Sequence, residues 1–169
     1  MNKKILILSL SLLVVISVVL VIVMTQSKQK LPATAEPTSA IPDMGTLNVT
    51  TTEDGIVKLN FMELTGSITL NLDGTDNYGT HVEICAGTYD PGSNKGVYIF
   101  EEVWTFDGGT FEGTADVETE GNLVGGGLYT RMTADIILHG TGVYEGHSLN
   151  LRSDEPGGFP FYTGDWLKS

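Results

Sequence analysis

Between Gly96 and Gly113 the chain reads GVYIFEEVWTFDGGTFEG, a string that few backbones can accommodate. Side chains alternate along a strand, so Tyr98, Phe100, Trp104 and Phe106 share one face, with Glu102 as the one charge in the aromatic row. Asp107-Gly108-Gly109 then supplies the positive φ that a hairpin turn requires. In the returning arm Phe111, Gly113, Ala115 and Val117 point one way, and Glu112, Thr114, Asp116 and Glu118 the other. The segment predicts two antiparallel strands.

The same pattern runs through everything after Gly45. No stretch sustains a helical period; short alternating runs are broken by Gly, Asp and Asn at intervals of about 8–12 residues, the signature of an antiparallel sandwich or barrel. Thr46–Thr52 and Ile56–Leu64 flank a turn at Glu53-Asp54-Gly55, and Ser67–Asp73 places Ile68, Leu70 and Leu72 on one face. In Thr80–Ala86 the apolar set Val82, Ile84 and Ala86 is expected inward, with His81, Glu83 and Cys85 on the opposite face. Leu128–His139 alternates over its whole length, with Met132, Ala134, Ile136 and Leu138 on one side and Tyr129, Arg131, Thr133, Asp135 and His139 on the other. Leu149 and Leu151 align in a short strand, and an aromatic, Gly-rich tail follows. The expectation is an all-β fold, an antiparallel eight- or nine-stranded barrel, with a β-sandwich as the alternative. Closure removes exposed strand edges, and eight strands leave an interior that side chains fill or that holds one small ligand.

The amino terminus is of another kind. Lys3 and Lys4 precede an apolar run, Ile5–Met24, interrupted only by Ser9, Ser11 and Ser17. Twenty helical residues span roughly 30 Å, the hydrocarbon thickness of a bilayer, whereas a secretory signal's apolar region is about 7–15 residues long. Residues 1–24 are therefore read as a single-pass membrane anchor with a transmembrane helix over 5–24; secretion after signal cleavage is the alternative. Residues 25–45 carry Pro32, Pro37 and Pro42 among Thr, Ser and Ala and are read as a Thr/Pro-rich linker, leaving 46–169 as the barrel domain. The linker's composition and the acidity of the β domain favour an extracytoplasmic location. Asn48-Val49-Thr50 is a glycosylation sequon.

The net charge is −12, and from Thr46 onward five lysines and arginines face 19 aspartates and glutamates, a net −14. Phosphate binding needs clustered cations, so nucleic acid is excluded as a partner. Cys85 is the single cysteine, so no intramolecular disulfide supports the fold.

Gly109-Thr110-Phe111-Glu112-Gly113 recurs as Gly142-Val143-Tyr144-Glu145-Gly146. With the preceding His139-Gly140-Thr141 and the WTFDGGTFEG hairpin, this pattern resembles the G-T-G-x-[FY]-E-G segments of allene oxide cyclase-like and dirigent-type proteins. The resemblance covers Gly96 to Leu151. It implies an eight-stranded antiparallel calycin-like barrel, in a group with members that act as cyclases or guide radical coupling. It carries no catalytic residue onto a position of this chain.

Glu102 is the candidate acid or base, because a carboxyl among aromatic rings loses hydration and binds its proton more tightly. Tyr98, Phe100, Trp104 and Arg131 join it as candidate ligand-binding residues, with Arg131 or Arg152 also able to neutralise it. His81 and Glu83 stand about 6.6 Å apart along one strand face and, with His139, are weak metal-ligand candidates. Asp73-Gly74-Thr75-Asp76-Asn77 offers loop oxygens but lacks EF-hand spacing. No nucleophile elbow, phosphate loop or H-E-x-x-H is present, and no cofactor is implied. Two functions remain: a membrane-anchored barrel that binds a small apolar or aromatic ligand or a surface partner, or an isomerase or cyclase that works in the lumen through Glu102.

Overall fold

Strand alternation is carried through into burial with little exception. In a computed structural model, which describes residues 29–123, 129–156 and 160–168, ten strands make one sheet. They are β1 (Gln29–Pro37), β2 (Ile41–Pro42), β3 (Asn48–Thr51), β4 (Val57–Leu72), β5 (Thr75–Asp90), β6 (Lys95–Phe106), β7 (Gly109–Glu120), β8 (Arg131–Gly140), β9 (Ser148–Glu155) and β10 (Tyr162–Lys168). Strands β4 to β10 follow one another around the sheet, and β1 pairs with β10 on one side and β4 on the other. The result is a closed, eight-stranded antiparallel barrel. Strands β2 and β3 both pair with β4 outside that circuit.

The strand that closes the barrel lies where a linker was expected. Ala33 and Ala35 of β1 are buried and register against Leu72 and Leu70 of β4. The prolines do not prevent this: Pro32 lies just before the residues in register with β4, and Pro37 is the last of them. Residues 30–168 are one compact unit. The membrane helix expected at 5–24 lies outside the described residues; among those described, no helix is long and apolar enough to cross a membrane.

Two further expectations change. Ile56–Leu64 and Ser67–Asp73 belong to one strand, β4, whose register shifts between Leu59 and Met62. The expected Asp73–Asn77 loop shrinks to a turn at Asp73-Gly74, with Thr75, Asp76 and Asn77 already in β5. Its side-chain oxygens serve the turn itself: Asn71 accepts from the Gly74 amide and donates to Asp76.

The two ends of the barrel differ. The β6–β7 turn, the β8–β9 connection and the start of β1 share one end, as the registers of Phe106 with Gly109, Phe111 with Gly140 and Ala33 with Leu72 show. Here Phe106, Phe111 and Tyr144 meet, with Phe111 and Tyr144 ring centroids 4.7 Å apart. The two G-x-[FY]-E-G copies are not structural equivalents. One opens β7 and the other forms a 3-10 turn at Gly142–Tyr144, but they pack on each other, with the Thr141 amide donating to the Thr110 carbonyl and the Val143 amide to that of Gly108. This end is filled; the other end contains a cavity.

Candidate functional site

The row of residues on β6 settles which of its faces is inside. Gly96, Tyr98, Phe100, Glu102, Trp104 and Phe106 are buried, while Val97, Ile99, Glu101 and Val103 face out. Antiparallel neighbours share a face, so β5 must present inward whatever stands opposite that row. The register pairs Cys85 with Phe100, Glu83 with Glu102 and His81 with Trp104. His81, Glu83 and Cys85 are therefore inside, and Val82 and Ala86 are on the outer surface, the reverse of what the apolar set on β5 suggested. Bulky rings on β6 outweigh three small or branched side chains on β5.

Of these residues Glu83, Phe100 and Glu102 line a cavity of about 560 Å³ that runs to the end of the barrel away from the aromatic plug. Phe100, Met62, Leu64, Val117 and Met132 make its apolar wall, and Glu83, Glu102 and Tyr162 its polar floor. Pro42, Met44 and Leu47, from the chain between β1 and β4, line it as well.

One oxygen of each glutamate and both nitrogens of His81 are hydrogen-bonded. The Trp104 indole N–H donates to Glu102 Oε2 at 2.7 Å. His81 Nδ1 lies 2.5 Å from Glu83 Oε1, and its Nε2 donates to the Ser39 carbonyl at 2.8 Å. Because a carbonyl only accepts, Nε2 carries a proton, and the Nδ1–Oε1 contact holds another. Burial opposes a charge on His81, but the Glu83 hydrogen bond and charge, with the Ser39 carbonyl, outweigh it and raise the imidazole's pKa. The imidazole's charged form is thus favoured by its contact with Glu83.

Gly66 makes this possible. It stands opposite His81 in the β4–β5 register, and a Cβ there would sit 1.8 Å from the Ser39 oxygen and 2.4 Å from His81 Nε2.

Glu102 is 3% exposed. Burial first, and then the facing Glu83 charge, push its pKa well above the ordinary carboxyl value, against the Trp104 hydrogen bond. Two opposed carboxyls with one imidazole, bonded to Glu83 alone, can hold one carboxylate cheaply and not two. Glu102 accordingly holds its proton more tightly than an ordinary carboxyl. Burial and the same two carboxyls also raise Tyr162, whose ring centroid is 6.2 Å from that of Trp104.

The predicted site residues are thus only partly together. Glu102 and Phe100 line the cavity. Trp104 is buried beneath Glu102 and orients it. Tyr98 is buried in the wall, because its ring lies over Gly87, its partner on β5, where a Cβ would come within 2.5 Å of the ring. Arg131 is outside: it faces solvent on β8 and forms a two-pronged pair with Asp154 of β9 at 2.9 Å. Arg152 is also exposed, beside Asp135. The proposed metal pair, His81 and Glu83, does meet, but both ring nitrogens have protein partners and His139 is on the outer surface. No group of three potential ligands occurs among the described residues.

Glu83 as a lumen residue, Tyr162 and the methionine wall were not anticipated. One signal was available: counting outward from the Pro91–Asn94 turn pairs Asp90 with Lys95 and, step by step, Glu83 with Glu102. Tyr129, placed on the outer face by alternation, instead lines the cavity, since it precedes β8 and is free of its pleat. Comparison of the chain with family models, with curated proteins and with solved structures finds no match.

Proposed function

We propose that this barrel binds a small, mainly apolar ligand in its lumen and holds one polar group of that ligand against Glu102 and Glu83. The observation that carries the reading is the cavity of about 560 Å³, within the usual range for small-molecule pockets, with apolar walls and a few convergent polar groups at one end. The apolar run at Ile5–Met24 supports tethering of the domain to a membrane, and the acidity of the β domain supports placement outside it.

The neutral fluorophore N-phenyl-1-naphthylamine tests the reading. Full-length protein should give saturable, single-site enhancement, lost in Met132→Trp, which fills the wall, and kept in Arg131→Ala, which lies outside. A Val117→Phe variant provides a second filling if the first fails to fold. Equal enhancement in folded, filled variants would overturn lumen binding.

A second reading is favoured by one observation: Glu102, which binds its proton tightly, directly faces Glu83, and two such carboxyls can also serve as an acid and base pair. In an isomerase or cyclase of the type the resemblance implies, Glu102 would donate its proton to a ligand oxygen while Glu83 receives one. Recovery of the bound ligand chemically unchanged favours binding alone; a rearranged ligand, with Glu102→Gln inactive, favours the enzyme.

A further inference from the structure

The floor of the lumen has more acid than base. Among the described residues that line the cavity there is no lysine or arginine, and two glutamates point in from adjacent strands. The nearby imidazole, His81, is bonded to Glu83 and turned away to Ser39, so it neutralises one carboxyl and not the other. Glu102 has Trp104 on one oxygen and, among the described residues, no cation paired with it. The wall adds the aromatic faces of Phe100 and Tyr162, which favour a positive charge, and the adaptable apolar side chains of Met62 and Met132.

Resting on the ligand-binding reading above, we propose that the lumen selects apolar primary amines in their ammonium form, with the alkyl or aryl body against the methionine wall and the ammonium between Glu102 and Glu83. The titratable groups facing Glu102 are Glu83, His81 and Cys85 of β5, Tyr162 of β10 and Tyr129 ahead of β8. The ammonium replaces a proton: R–NH₃⁺ enters, the Glu102 O–H bond breaks, and the proton leaves to buffer, so the floor's net charge is unchanged. A neutral ligand meets Glu102 with its proton in place, and an anionic one meets only acids.

Calorimetry of the full-length chain with octylamine, 1-octanol and octanoate, each against the Met132→Trp protein as blank, tests this. Octylamine should bind at least about tenfold more tightly than octanol, a difference of about 1.4 kcal/mol, and octanoate should be weakest. In buffers of different ionisation heat, octylamine binding should release a proton at mildly acidic pH and octanol none. Its affinity should rise by up to about tenfold per pH unit until Glu102 ionises unaided, then level off. Glu102→Gln should abolish both the preference and the release. If octanol or octanoate binds as tightly as octylamine, or if no proton is released by the wild-type protein, amine selection is overturned while lumen binding stands. If N-phenyl-1-naphthylamine and all three octyl compounds fail to bind, the ligand-binding reading itself falls.

Discussion

Glu83 and Glu102 stand directly opposite each other on β5 and β6, both pointing into the barrel, with His81 balancing the first and Trp104 bonded to the second. Like charges opposed across two strands are destabilising unless a proton or a cation intervenes. That requirement organises both the chemistry of the lumen and its stability.

Stability should fall as pH rises. Glu102 and His81 both bind protons more tightly in the folded chain than in the unfolded one. The stability they contribute is complete below their ordinary values, 4.5 and 6.5, and is lost as pH rises through their raised, folded values. Thermal unfolding should show a lower Tm at about pH 9 than at about pH 5, and Glu102→Gln should flatten this slope. An unchanged slope in the variant would assign the loss to general acidity of the domain.

Removing the imidazole isolates a buried carboxylate. His81→Ala should cost about 3 kcal/mol in urea unfolding at neutral pH, because Glu83 keeps its burial and loses its counter-charge. Adding Glu83→Gln should recover much of that loss. If the double variant is no more stable than the single one, the ion pair is not the reason.

Gly66 has no room for a methyl group. Gly66→Ala sets a Cβ against the Ser39 carbonyl and the His81 ring, so the segment carrying Ser39 must move off β4. A loss of about 3 kcal/mol is expected, with the His81 Nε2–H resonance in proton NMR shifting or broadening as its acceptor leaves. A stable variant with an unmoved resonance would contradict the close approach.

Arg131 should be dispensable. Its pair with Asp154 is half-exposed on both sides, and such pairs contribute about 0–1 kcal/mol. Arg131→Ala should leave N-phenyl-1-naphthylamine binding unchanged and shift the urea midpoint only slightly. A loss of binding would place Arg131 in the lumen's function despite its position.

Much of the architecture is written locally. Alternation on β6, β7 and β8 names the buried residues Tyr98, Phe100, Trp104, Phe111, Ala115, Val117, Ile136 and Leu138, and the Asp107-Gly108 turn separates β6 from β7. The candidate Glu102 is legible for the same reason, as a charge in an aromatic row.

The remainder depends on pairings between distant residues. Alternation divides β5 into two faces without saying which is inside; opposite the rings of β6, His81 and Glu83 go in and Val82 goes out. Composition reads residues 25–45 as a spacer, yet Ala33 and Ala35 are small enough to seat β1 against Leu72 and Leu70 and close the sheet. The chain by itself determined that strands would form, where they would turn and that one carboxyl would be out of place among aromatics. Only closure of the barrel decided that this carboxyl would face a second one across a cavity, because that register joins residues from separate strands whose local sequences carry no mark of each other.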